Sequence, residues 1–387
     1  MKKRILTLCL LLTLLLSSCS QTSNNNQTEG TTAKDTTTED TTAESATTEN
    51  ITDISLAEQL LSEMTLEDKI GQLFIIRPEQ LEDNPSYNIG GVCMFAANIN
   101  SPEQITSYIN TLQSNSKIPM FISVDEEGGL VARIANSEAF NVTTYNSMEE
   151  IGTTGDPNNA EDVGYTIGSY LKEYGFNLDF APVADVNTNP ENIVIGNRAF
   201  GNDPNLVASM VNSAINGFHN AEIMCCVKHF PGHGDTVGDT HDGYVSITKT
   251  WDELKDCELI PFISAIQNNV DTIMVAHITT PNITSDNLPA SMSYEMITTK
   301  LRGELGYDGV VITDAMEMGA IANHYTSSTG AVTALKAGVD IILMPESITE
   351  AYEGIYEAVM NGDITEERID ESVLRILSLK EKYNIIQ

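Results

Sequence analysis

The chain has 387 residues, with 20 Lys and Arg against 55 Asp and Glu, for a formal net charge of −35. So large an excess of carboxylates repels phosphate backbones and argues against nucleic acid or any polyanion as a partner. The length suits one large domain or two ordinary ones.

Residues 1–18 read as an export signal. Lys2, Lys3 and Arg4 precede the apolar run ILTLCLLLTLLL, too short to span a bilayer comfortably. Small residues then lead into Cys19, an arrangement that resembles a bacterial lipobox and makes Cys19 the expected lipidation site and mature N-terminus. The expected location is therefore extracytoplasmic, on a bacterial membrane. A plain secretory signal with a coincidental cysteine is the simpler alternative. Residues 19–50 are rich in Thr, Ser and Asn and lack large apolar side chains, so they cannot bury enough surface to offset their ordering entropy. They are expected to form a disordered tether between the anchor and a folded body at 51–387.

Eight apolar runs of strand length punctuate that body: QLFII (72–76), GVCMFA (91–96), MFISV (120–124), NLDFAPV (177–183), IMCCV (223–227), TIMVA (272–276), GVVIT (309–313) and DIILM (340–344). Helix signals lie between them. Asp156 is placed to cap a helix with Pro157 at its first position and Gly175 just past its end, and Ser101-Pro102 opens another. The last long pattern, 365–383, sets Ile369, Val373, Ile376 and Leu379 on one face. Eight strands alternating with helices predict a (β/α)8 barrel as a single domain. A doubly wound open sheet fits the same alternation, because periodicity does not show closure. With Cys9 in the signal and Cys19 lipidated, Cys93, Cys225, Cys226 and Cys257 remain, without CxxC spacing, and are expected to be small buried hydrophobes.

Polar residues gather where the strands end. Asp125 and Glu126 follow MFISV, Lys228 and His229 follow IMCCV, His277 follows TIMVA, and Asp314 follows GVVIT. In a parallel barrel these ends share one face, where the active site is built. Asp314 suits a nucleophile or a metal ligand, and equally an N-cap for the following segment. The stretch KHFPGHGDTVGDTH (228–241) holds three histidines, two aspartates and a lysine, with glycines and a proline that forbid a helix. A loop there can gather His229, His233, Asp235 and His241 around a metal. The other reading pairs Asp239 with His241 two residues on, a carboxylate orienting an imidazole for acid/base work.

That stretch, together with VDEEGGLVAR (124–133), VIGNRAFG (194–201), LPASMS (288–293) and LRGELGYDGVVITDAMEM (301–318), resembles glycoside hydrolase family 3, specifically its β-N-acetylhexosaminidase branch. The resemblance runs from about residue 55 to 380. It implies a (β/α)8 barrel that removes terminal β-linked N-acetylglucosamine with retention, without metal or other cofactor. It implies Asp314 as nucleophile, His241 as acid/base and Asp239 as its dyad partner. Asp125, Arg133, Arg198, Lys228 and His229 fall on the sugar-binding positions. Leu130 stands where the family usually has Arg, and Thr240 where it more often has Ser.

Other family specificities usually draw the acid/base from a second domain, and the end of the sequence at Gln387 favours the loop-histidine branch. Cell-wall muropeptides are the expected substrates of an exported enzyme of this kind. Three rival expectations stand beside hydrolysis: phosphorolysis on the same scaffold, because a neutral imidazole does not repel an incoming phosphate; substrate-assisted hydrolysis using Asp125 and Glu126; and a lipoprotein that only binds sugars.

Overall fold

The structure, a computed structural model, describes residues 54–387 apart from Pro85 and Asp242, with only the backbone at 82–83. The signal peptide, Cys19 and the tether lie outside the described residues. Eight parallel strands form the centre: β1 (Phe74–Ile76), β2 (Gly91–Met94), β3 (Phe121–Val124), β4 (Leu178–Asp179), β5 (Met224–Phe230), β6 (Thr272–Val275), β7 (Val310–Thr313) and β8 (Ile342–Leu343). Each of the eight expected strands is present. All their residues are buried, as parallel strands covered on both faces must be.

Neighbours in space are neighbours in sequence, which a doubly wound sheet would not give. The two ends also meet. Phe74 pairs with Ile342 and Ile75 with Leu343, while a single parallel bridge, Ile312 to Ile341, joins β7 to the chain entering β8. The sheet is a barrel, and its inward side chains fill one continuous core with the surrounding helices.

The helix signals hold. The helix Pro157–Tyr174 is capped by the Asp156 side chain and stops at Gly175, whose φ of 96° is the left-handed conformation that glycine adopts without a Cβ clash. The Ser101 side chain caps the helix Pro102–Asn115. Cys93, Cys225 and Cys226 are buried as expected, but Cys257 is partly exposed, in the turn after the short helix Trp251–Lys255. Among the described residues no helix is long and apolar enough to cross a membrane.

The terminal helix Glu366–Lys382 buries Ile369, Val373, Ile376 and Leu379, and with them the fully buried Lys380. Its ammonium donates to Gln72 Oε1 (2.8 Å) and the Gly90 carbonyl (3.0 Å) and lies 4.9 Å from the centre of the Phe121 ring. No carboxylate pairs with it among the described residues, and burial lowers its pKa from 10.5 to about 7. Between those values the unfolded chain holds a proton that the folded one lacks, so stability gains up to about 1.4 kcal/mol per pH unit as pH rises. Lys380→Met is expected to remove that slope. Urea unfolding at several pH values from 7 to 10 checks this, since the gap between wild type and variant must change steadily with pH.

Candidate active site

A cavity of about 580 Å³ opens at the C-terminal ends of the strands, within the usual size range of a small-molecule site. Seven of the eight expected functional side chains line it: Asp125, Arg133, Arg198, Lys228, His229, His241 and Asp314. The eighth, Asp239, stands behind His241. A larger opening of about 720 Å³ lies on the outer face of the helix Pro102–Asn115, lined by Ser, Thr and Asn side chains with Glu103 and Glu173, and contains none of the expected functional residues.

One wall is a network of alternating charge. The buried Lys228 ammonium lies 2.8 Å from Asp125 Oδ1 and 2.6 Å from Glu127 Oε1. Arg198 grips the same Glu127 in bidentate fashion, at 2.8 and 2.7 Å, and Arg133 approaches Asp125 at 3.7 Å. Burial alone would raise Glu127, but the Lys228 and Arg198 charges outweigh it and hold its carboxyl far below the usual range. For Lys228 burial works the other way, and Asp125 and Glu127 overcome it to push the pKa up. Lys228 and His229 both reach the cavity because the register of β5 against β6 shifts between Val227 and Phe230.

Glu126 belongs to another part of the structure. Its carboxylate is buried and accepts the backbone N–H groups of Arg133, Ile134 and Ala135 as well as the Tyr170 hydroxyl (2.8 Å). It thereby folds the loop that carries Arg133, and it does not line the cavity. Asp125 and Glu126 therefore do not form the acidic pair that substrate-assisted hydrolysis requires.

Asp314 sits immediately after β7. Its own N–H donates to the Val275 carbonyl at 2.9 Å, and Oδ1 accepts from the Ala315 N–H at 2.8 Å. It is no helix cap, because the next helix starts only at Gly319. Burial favours protonation, but the neighbouring His277 and His229 rings, the Ala315 N–H and the Lys228 charge outweigh it and lower the Asp314 pKa from its ordinary 3.8. His277 sets the backbone here. Its Nε2 lies 3.0 Å from the Ala315 carbonyl, which can only accept, so Nε2 carries the proton and Nδ1 accepts from Ser291 Oγ at 2.7 Å.

The loop after β5 carries the imidazole–carboxylate pair. His241 Nδ1 is 2.7 Å from Asp239 Oδ1, which also accepts the His241 backbone N–H at 2.9 Å. With Nδ1 directed at the carboxylate, Nε2 is the nitrogen left to meet a ligand. Burial works to raise Asp239, and the backbone and ring of His241 outweigh it, so its pKa lies below 3.8. Two backbone bonds fasten this loop beside the nucleophile candidate: Gly319 N–H to His241 O (3.1 Å) and Ala320 N–H to Thr240 O (3.0 Å). At its base the loop packs so closely that a Cβ on Gly234 would lie 2.0 Å from the Val186 carbonyl oxygen, a contact that only glycine allows.

The alternative set of metal ligands is not gathered. His229 Nδ1 faces Asp185 at 2.7 Å, His233 Nδ1 faces Thr236 at 2.7 Å, and Asp235 binds Thr188 and Lys249. Asp185 was not singled out in the sequence, yet it accepts the backbone N–H groups of both His229 and His233 as well as the His229 ring. Glu127 was missed in the same way. Each is one carboxylate within a motif whose partners lie tens of residues away.

Residues 65–379 match the model of the glycosyl hydrolase family 3 N-terminal domain. The chain belongs to this family. It is 36% identical over 334 residues to beta-hexosaminidase A of Pseudoalteromonas piscicida, an alignment covering 79% of this chain and 55% of that protein. With beta-hexosaminidase LpqI of Mycobacterium tuberculosis it shares 30% identity over 329 residues, covering 81% and 82%. Among solved structures, a glycoside hydrolase family 3 beta-N-acetylglucosaminidase from Paenibacillus sp. str. FPU-7 superposes with a TM-score of 0.79 at 39% identity, over 83% of this chain and 63% of that one. The chain thus spans little more than half of the Pseudoalteromonas relative. Within this family 3 barrel, Leu130 is 76% exposed and does not line the cavity, so its departure from the family's usual Arg leaves the charged wall intact.

Proposed function

We propose that this family 3 protein is an exo-acting β-N-acetylglucosaminidase that retains anomeric configuration. The observation that carries the reading is the pairing of a partly buried, ionised Asp314 with an imidazole–carboxylate pair on a loop fastened five and six residues past it. A retaining glycosidase needs one group to attack the anomeric carbon and one to protonate the departing oxygen. Asp314 takes the first role and forms the glycosyl ester. His241 Nε2 gives its proton to the leaving oxygen and, neutral in the intermediate, later accepts one from water, while Asp239 stabilises the imidazolium present before the first step and after the second. Asp125 accepts from sugar hydroxyls, while Arg133, Arg198, Lys228 and His229 donate to or orient them. Glu127 holds Arg198 and Lys228 in place.

His241→Ala is expected to lower kcat by about 10²–10⁴ on disaccharides, whose leaving oxygen needs a proton, and far less on aryl glycosides with acidic phenols. Kinetics on a series of leaving groups checks this, since an equal loss across the series would deny His241 the acid role. Product analysis with and without phosphate separates hydrolysis, which releases free N-acetylglucosamine, from phosphorolysis, which releases its 1-phosphate. A protein that only binds sugars would release neither.

The proposal includes export and a lipid anchor at Cys19, supported by the basic, apolar and small-residue sequence of 1–18, and it makes cell-wall fragments the accessible substrates. Metabolic labelling with a fatty-acid probe is expected to mark the wild type and not Cys19→Ala. Label retained by the variant would refute the anchor.

A further inference from the structure

The opposite end of the barrel holds a second cluster of ligating side chains, which the sugar chemistry leaves unused. His219 lies in the last turn of the helix Pro204–Asn220, Cys225 is the second residue of β5, and Asp271 immediately precedes β6. His219 Nε2 is 2.9 Å from Asp271 Oδ2, Cys225 Sγ is 3.8 Å from that nitrogen, and Cys225 Sγ is 3.9 Å from that oxygen. These three are the group of His, Cys and acidic donors within mutual ligand reach among the described residues.

We propose that His219, Cys225 and Asp271 form a binding site for a divalent transition metal of the zinc class, at the face of the barrel remote from the sugar pocket. The donor spacing supports it. Zinc takes nitrogen and oxygen at about 2.0–2.2 Å and thiolate at about 2.3 Å, and separations of 2.9, 3.8 and 3.9 Å leave a point that meets all three lengths. One thiolate, one imidazole and one carboxylate is a donor set that selects zinc, cobalt or nickel over magnesium or calcium.

The carboxylate is already oriented as a metal ligand would be. Lys382 Nζ donates to Asp271 Oδ1 at 2.7 Å, and the Tyr383 hydroxyl and Cys225 N–H donate to Oδ2 at 2.8 and 3.3 Å. The His219 side chain is 27% exposed, which gives the ion a path in and water a fourth position. Burial and then the Asp271 charge push the Cys225 thiol well up, so it is protonated in the metal-free protein. Binding replaces that proton: the S–H bond breaks, a metal–sulfur bond forms, and one proton leaves to solvent. His219 coordinates through the Nε2 lone pair with its proton moved to Nδ1, so its Nε2–H bond to Asp271 is exchanged for the metal.

The test is cobalt(II) titration of chelator-stripped full-length protein, followed by absorption and calorimetry. The expected result is one cobalt per chain with a thiolate-to-cobalt charge-transfer band, displaced by zinc. Cys225→Ser is expected to abolish the band, and Cys225→Ser and the partly exposed His219→Asn each to weaken binding by at least about tenfold. Both variants should retain hydrolytic activity, which also reports that they are folded. Absence of stoichiometric binding would overturn the proposal and leave the cluster as a hydrogen-bonded hub around Asp271. Binding undiminished in both variants, or lost in His241→Ala, would overturn it too by placing the ion elsewhere.

Discussion

Replacing Asp314 by alanine is expected to lower kcat on an aryl N-acetyl-β-glucosaminide by about 10⁴-fold or more, with little change in fold or stability. The size follows from the role, because loss of a covalent nucleophile removes the whole two-step route and not one contribution to it. The side chain is well placed for that role at neutral pH. Its depressed pKa keeps it ionised above 3.8, and the nucleophile is lost only as pH falls through a lower value. The acid limb that this group contributes to kcat/KM therefore lies below 3.8. Added azide should restore turnover in the variant and give a product of opposite anomeric configuration, because the small anion enters the space left by the carboxylate. Unchanged kcat in Asp314→Ala would remove the covalent mechanism.

The second large effect is expected at Lys228. Lys228→Met keeps the length of the side chain and takes away the charge that faces Asp125 and Glu127. Breaking a buried ion pair from one side leaves carboxylates uncompensated, at a cost of about 3 kcal/mol, and Arg198 offsets only part of it at Glu127. Sugar binding should fail as well, since Asp125 and the Arg198–Glu127 pair lose their common support. The pH dependence has a definite sign. In the wild type the depressed Glu127 pKa gives stability that is present above its unfolded value and lost only well below it. In the variant the carboxyl takes up its proton at a higher pH, so the stability deficit should be largest near neutrality and shrink as pH falls. Denaturation curves at pH 7 and pH 4 test this, and a deficit that grows on acidification would contradict the charge argument.

The barrel was legible in the sequence because strands covered on both faces read as unbroken apolar runs, and eight such runs alternate with capped helices. Their lengths were less so. NLDFAPV forms a regular strand only at Leu178 and Asp179, with Val183 adding an isolated bridge to Lys228 beyond Pro182, which has no N–H to give to a ladder. IMCCV continues through Lys228, His229 and the core residue Phe230, and the two polar residues stay in the strand because the cavity receives their side chains. Asp314 and the Asp239–His241 pair could be found because they are local, a charge at a strand end and two groups two residues apart. Glu127 and Asp185 could not, because each acts through partners 44 to 101 positions away, and His277, visible at its strand end, gave no sign of the Ala315 carbonyl it binds 38 positions on. Lys380 was hidden for another reason: it falls beside Leu379 at the edge of an apolar face, and nothing in its periodicity distinguishes a buried ammonium from an exposed one.

The central claim is that the Asp314 carboxylate becomes covalently bonded to the sugar. It is tested most directly by incubating the protein with a fluorinated N-acetylglucosaminyl fluoride, which forms the intermediate quickly and releases it slowly, and then sequencing the labelled peptide by mass spectrometry. The account predicts one sugar per chain, attached to Asp314. A label on another carboxylate, such as Asp125 or Glu127, would contradict it.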